Sequence, residues 1–564
     1  MTVADTFFKQ FEILADAPNA VPRLRELILQ LAVRGKLVSQ DPNDEPASVL
    51  LEKIRKEKGD LVKSKVVSKA KEVLNIDESE LFYDIPYNWE WVRLAEVGHD
   101  WGQKKPDREF TYIDVSGINK EQGIVSDEVN VLEASQAPSR ARKLVKLGTV
   151  IYATVRPYLL NIAIISKEFS PEPIVSTAFA VIHPFSGVYN KYLYYYLRSQ
   201  PFIDFVASQM KGMAYPAIND GQLYQGLVPL PPLNEQKRIV EKVDKLMEWC
   251  DRLEKQQQQR RETCINLNRI ALTQLTTAKT TDEFSDRWQK VHDNFDLLYS
   301  LPENVSQLRQ TILQLAVMGK LVKQDPNDET ASILLARTRE YLAKLKDGKI
   351  KRNQDLPTIS QDDAFFDLPK GWQWARFPEL GEFGRGKSKH RPRNDPKLYE
   401  GGCYPLVQTG DVARANRIIE TYSSLYNEVG LAQSRIWKKG TLLITIAANI
   451  ADTAVLGFDA CIPDSVVGFV PAPDIRIEIF AYFMKIAKEY LEKLAPSTAQ
   501  KNINLAILEK LLIPIPPFNE QKRIVAKVEE MMRLCDGLEA KLKDAETNRQ
   551  KLLESGIRQV LSQI

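Results

Sequence analysis

One stretch of this sequence fits a catalytic expression by residue type and spacing: Gly381-Glu-Phe-Gly-Arg-Gly386-Lys387-Ser388 matches the phosphate-loop pattern G-x-x-x-x-G-K-[ST]. Such a loop needs a helix directly after it, whose free backbone N–H groups meet the phosphates. Here Pro392 and Pro396 follow, and they forbid a regular helix. No nucleotide site is therefore expected. The same residues suit a polyanion better. Residues 384–393 carry Arg385, Lys387, Lys389, His390, Arg391 and Arg393 without one acid. Guanidinium and ammonium groups on a glycine-loosened loop can contact DNA phosphates or chelate a guanine edge.

Other basic residues recur at matching places. Lys104, Lys105 and Arg108 form the counterpart of that loop; Arg140, Arg142, Lys143 and Lys146 form a further cluster, mirrored by Arg435, Lys438 and Lys439. Arg156 and Tyr158, and separately Asn449, follow β-rich runs and stand where base-edge readers would lie. Catalytic sets are missing: there is no Asp/Asn-Pro-Pro-Tyr/Phe tetrad, glycine-rich S-adenosylmethionine loop, helicase acid box or nuclease carboxylate-lysine arrangement. No catalytic residue is assigned. Five cysteines and four histidines show no metal-ligand spacing, so neither a disulfide framework nor a zinc site is expected. With no signal peptide and no apolar run of about 18 residues, the cytoplasm is the expected compartment.

The elements that position these residues come from a repeat. At 564 residues the chain is too long for one core, and roughly three or four modules are expected. Residues 24–51 return at 308–335 with 22 of 28 positions identical, and 231–254 return at 516–539 with 16 of 24 identical. One tandem duplication accounts for both. Its unit is a helical arm (1–84 and 285–366), a globular middle (85–230 and 367–515) and a long helix (231–284 and 516–564). The arms and helices are nearly the same twice, while the middles have diverged. That contrast implies one scaffold serving two versions of one task. Net charge is only +3, so any electropositive face must be local.

Asn234 and Asn519 are the expected N-caps of the long helices. Ile239, Val243, Leu246, Cys250 and Leu253 form an apolar stripe in the first, resumed at Cys264, Leu267 and Ala271. Ile524, Val528, Met531, Cys535, Leu538 and Leu542 form the stripe of the second. Spacings of three and four read as coiled-coil seams, and the two rods are expected to pair antiparallel. The middles read as α/β (α+β), with helices over 190–199 and 478–494. The tyrosine-rich run 192–196 is read as core packing rather than a stacking platform for bases.

The duplicated unit, the anchors at Trp89, Trp91, Trp372 and Trp374, and the Pro-Pro-x-Asn-Glu-Gln-Lys-Arg-Ile-Val starts at Pro231 and Pro516 resemble the specificity subunit of type I restriction-modification enzymes. The extended arm looks like the branch called type IB. The resemblance implies a non-catalytic DNA reader, with two target recognition domains joined by two long antiparallel helices in a pseudo-two-fold arrangement. It implies double-stranded DNA, two methyltransferase subunits and two restriction subunits as partners. No cofactor is expected on this chain; S-adenosylmethionine, ATP and Mg2+ would serve through the other subunits. The alternatives are an ATPase using 381–388 and a coiled-coil adapter without DNA contact.

Overall fold

The arm helices Ala20–Val33 and Pro302–Val317 bury residues spaced three and four apart: Leu24, Leu27, Ile28 and Leu31 in the first, Leu308, Ile312 and Leu315 in the second. Each is followed by a glycine that no other residue could replace cheaply. Gly35 and Gly319 both sit at φ +68°, and a Cβ there would lie 2.4 Å from the ring of Pro86 or Pro369. The computed structural model describes residues 7–8, 11, 14–67, 73–212, 215–346, 359, 364, 366–447, 450–494 and 503–563. The chain forms two units: Met1–Arg260 with Ala545–Ile564, and Arg261–Asp544.

Despite their divergence, the middles share one strand plan. The first has a four-stranded sheet in the order Asn130–Leu132, Phe110–Ile113, Pro173–Ser176, Ala141–Leu144. The second repeats it as Ser424–Tyr426, Tyr404–Leu406, Ala460–Cys461, Ile436–Trp437. In both, the central pair is parallel and its flanks antiparallel. The larger sheets also correspond, centred on Phe179–Pro184 beside Val150–Ala153 and on Val466–Pro471 beside Leu442–Thr445. A two-stranded ribbon closes each base, Glu90–Arg93 with Leu227–Leu230 and Gln373–Arg376 with Leu512–Ile515. The middle thus begins and ends at one place, on the scaffold.

The long helices run Leu233–Thr277 and Phe518–Ser562, 45 residues each, or about 68 Å. They start one residue before Asn234 and Asn519, so these are not the caps. The first turn is instead fixed by the Gln236 and Gln521 N–H groups donating to the carbonyls of Pro232 and Pro517 at 2.9 Å.

The apolar stripes are covered differently from the sequence expectation. Ile239, Val243, Cys250 and Leu253 are buried, with Leu246 at the margin, but they pack on the arm of their own unit (Leu24, Leu27, Ile28, Leu31). Ile524, Val528 and Cys535 likewise pack with Leu308 and Ile312, with Met531, Leu538 and Leu542 at the margin. The helix-to-helix contacts use the far ends. Leu553, Ile557 and Val560 complete the first unit's helical core, and Leu272 and Leu275 the second's. Within each unit the start of one helix therefore meets the end of the other, which is antiparallel pairing. The resumed stripe is also shifted: Leu267 is half exposed, while Asn268, Leu272 and Leu275 are buried. A straight helix that changes its packing partner along its length must change the face it buries.

The repeated motifs meet at one junction per unit. Glu235, fully buried, accepts from Trp89 Nε1 at 3.0 Å and Gln40 Nε2 at 2.6 Å. Glu520 repeats this with Trp372 at 3.0 Å and Gln324 at 3.3 Å. Burial pushes both carboxyls above the usual carboxylate value, opposed by the indole and amide donors. Gln236 bonds the Tyr189 N–H and Gln521 the Arg476 N–H, both at 2.8 Å, so each middle is held too. Arg238 pairs with Asp44 at 2.7 Å and Arg523 with Asp328 at 2.6 Å. Arm, middle and helix are thereby fixed to one another by the residues that recur most faithfully.

Candidate nucleic-acid interface

With the base of each middle committed to the scaffold, its free loops are where binding residues can stand. The aromatic run in helix Asn190–Leu197 is not among them. Tyr192, Tyr194 and Tyr196 are buried, and the Tyr192 hydroxyl donates to the Pro229 carbonyl at 2.7 Å. Tyr192 and Tyr196, whose hydroxyl donates to the Leu227 carbonyl, bind the helix to the basal ribbon, and Tyr194 packs against Gly123.

In the second middle, residues 381–385 are a strand paired antiparallel with Val466–Pro471. No helix follows Ser388; the next ordered turn is Pro396–Leu398. Gly386 packs so tightly that a Cβ would lie 2.3 Å from the Pro463 carbonyl oxygen, which leaves no phosphate cradle. The basic residues gather instead. Arg391 and Arg393 pair with Asp464, and Arg385 Nε donates to the Asp464 carbonyl oxygen. One carboxylate beside three guanidinium groups leaves the cluster cationic. Lys387 and Lys389 are exposed with no ion-pair partner among the described residues. His390, partly exposed, lies 2.8 Å from Asp395. Arg435 pairs with Glu382 and lies over the Trp437 ring at 4.1 Å, and Lys438 pairs with Asp459. Asn449 lies outside the described residues.

In the first middle, Lys104 is tied to Asp107 and Glu172, while Lys105 and Arg108 are exposed. Arg140 is exposed and Arg142 half-buried against its own strand. Lys143 must be withdrawn as a DNA contact. It is buried, with Nζ 2.6 Å from the Phe179 carbonyl and paired to Asp220, because its strand position points it into the sheet. Nearby, the His99 and His183 rings are 5.4 Å apart, and Lys146 Nζ lies 3.6 Å over Trp101. Burial, then His99 and Lys146, hold His183 down to about 4.

Arg156 and Tyr158 stand on an exposed turn, Arg156–Leu160, directly after the central strand Val150–Ala153. The Arg156 guanidinium lies 4.9 Å over the ring of Tyr215. Sequence reading missed Tyr215; its only signal is an aromatic residue between alanine and proline, directly after a glycine-containing stretch. Among the described residues there is no cluster able to hold a metal ion and no helix long and apolar enough to cross a membrane.

Two copies of a family model described as the type I restriction modification DNA specificity domain match residues 86–262 and 369–546. The chain belongs to this family. It is 31% identical over 561 residues to the specificity subunit of the type I restriction enzyme EcoAI of Escherichia coli, covering 95% of this chain and 93% of that one. It is also 31% identical to the EcoEI specificity subunit of Escherichia coli, over 95% of this chain and 93% of that one. A solved chain from work on complex assembly and conformational transition of the type I R-M system shares the fold, at 24% identity and a TM-score of 0.51, covering 85% of this chain and 98% of that one. The chain is therefore a specificity subunit with two DNA recognition domains, and neither the ATPase nor the adapter reading is supported.

Proposed function

We propose that the two middles each read one half of an asymmetric bipartite site in double-stranded DNA. The long helices fix the spacer and, with the arms, recruit two methyltransferase and two restriction subunits. The observation that carries this is a shared strand plan with unlike loops at matching places, 102–108 on one copy and 386–393 on the other, each on a near-identical junction. A scaffold repeated so closely under surfaces so different fits two unlike half-sites. Within this reading the chain has no catalytic role and binds no cofactor. The partners supply methylation with S-adenosylmethionine, and translocation and cleavage with ATP and Mg2+, in the cytoplasm. Arg385, Lys387, Lys389, Lys105, Arg108 and Arg140 act as backbone contacts.

Methylome mapping in a strain that expresses this chain with its methyltransferase identifies the site. Replacing residues 85–230 by the matching region of a relative should then change one half of it and leave the other half and the spacer intact. A change in both halves, or in neither, overturns the assignment.

A further inference from the structure

The turn Arg156–Leu160 has a composition unusual for a surface. Tyr158 is 53% exposed, Leu159 43% and neighbouring Tyr215 68%, although the domain buries most of its other large apolar side chains. The turn is also held in a costly shape. Arg156 and Leu160, neither a glycine, sit in the left-handed region at φ 49° and 53°. Three features fix it: the Arg156 N–H donates to the Pro216 carbonyl at 2.8 Å, Pro157 is buried, and Val155 bridges to Ala217. It is therefore a rigid projection with an apolar tip.

Its surroundings are cationic. The backbone carbonyl of Arg140 accepts from the Thr177 N–H at 2.8 Å, one residue from Ala178, whose carbonyl takes the Thr154 N–H. Lys211 bridges to Ala217 on the other side. Arg140, Arg156 and Lys211 have no carboxylate partner among the described residues, in contrast to the arginines around Asp464. An apolar tip ringed by unpaired cations fits a polyanion with an apolar interior, which is a nucleic-acid duplex. We propose that Tyr158 and Leu159 form a wedge that enters the first half-site between two base pairs and unstacks them, while Arg156 and its neighbours hold the flanking phosphates.

This rests on the DNA-reading assignment above. Wedges of this kind pay for unstacking with a bent duplex that meets more protein, and flexible pyrimidine–purine steps yield most readily. The first half-site should contain such a step. The second should remain regular, because the described residues of the corresponding turn, Ile450 and Ala451, are buried.

The test is permanganate reactivity of thymines in the mapped duplex, bound to the complex of this chain with its methyltransferase subunits. The expected result is a severalfold rise at one further step of the first half-site, apart from the thymines opposite the methylated adenines that base flipping by the methyltransferase subunits exposes in both half-sites, with no such further rise in the second half-site as internal control. Tyr158→Ala with Leu159→Ala should abolish the rise while the salt dependence of binding persists, and Tyr158→Phe should retain it. Binding without that further rise in the first half-site overturns the wedge alone, as does a further rise that survives the double substitution. Failure of the complex to bind duplex DNA at all overturns the reading assignment and the wedge with it.

Discussion

Trp89→Phe is the sharpest probe of the junction that holds the first recognition domain to its scaffold. The substitution deletes the indole N–H that donates to Glu235 at 3.0 Å, and leaves one oxygen of a fully buried carboxylate without that donor. A hydrogen bond to a charged group is worth about 1.5–3 kcal/mol, and the smaller ring, withdrawn from its contact with Gly35, adds about 1 kcal/mol, for a loss of about 3 kcal/mol. The effect should be local. Native-state hydrogen exchange should speed roughly 100-fold in Glu90–Arg93 and Leu227–Leu230 while Gln373–Arg376 and Leu512–Ile515 stay as they were. Burial already raises the Glu235 pKa, and removing a donor raises it further. The native state then binds a proton at a higher pH than the unfolded chain, so stability increases as pH falls through that window. The deficit should shrink toward acid. Trp372→Phe should show the mirror image. If both ribbons exchange faster together, or the deficit grows on acidification, the junction does not work as described.

Lys387→Ala with Lys389→Ala should lower the log-log salt slope of DNA binding by about 1.8, at about 0.9 per lost phosphate contact, and ATP binding should be absent throughout; an unchanged slope removes these lysines from the interface. A fragment of residues 1–284 lacks Leu553, Ile557 and Val560, which close the first helical core. Two fragments should supply Asn268, Leu272 and Leu275 to each other in their place, giving a two-fold dimer that Asn268→Leu tightens by about 1–2 kcal/mol; a folded monomer by sedimentation refutes this. His183, held at about 4 in the fold, takes a proton in the unfolded chain near 6.5, so stability present above that value should be lost as pH falls toward 4. Protection factors should drop in Phe179–Pro184 and not in Val466–Pro471, where Val470 stands at the matching position; equal loss in both strands contradicts the assignment.

The sequence by itself determined the duplication, the scaffold and the family, because repetition is visible without coordinates. Two stretches that recur with most residues identical, at offsets of 284 and 285, impose two copies of one local structure. The helices at 190–199 and 478–494 were legible for a related reason, since helical periodicity is written in neighbours three and four apart. The common strand plan was not legible. Phe110–Ile113 lies beside Pro173–Ser176, and Tyr404–Leu406 beside Ala460–Cys461, across separations that leave no local trace. The cover of the long helices was also hidden: an apolar stripe shows that a face is buried, and only packing showed that the arm buries it. Burial decided the site in the same way. Lys143 and Arg140 are alike in sequence, but Lys143 lies within the strand Ala141–Leu144, whose pleat turns it inward, while Arg140 stands in the turn before that strand, in solvent. Glu235, which reads as an ordinary acid in a first helical turn, became the keystone only when Trp89, 146 positions away in the chain, was brought within 3.0 Å.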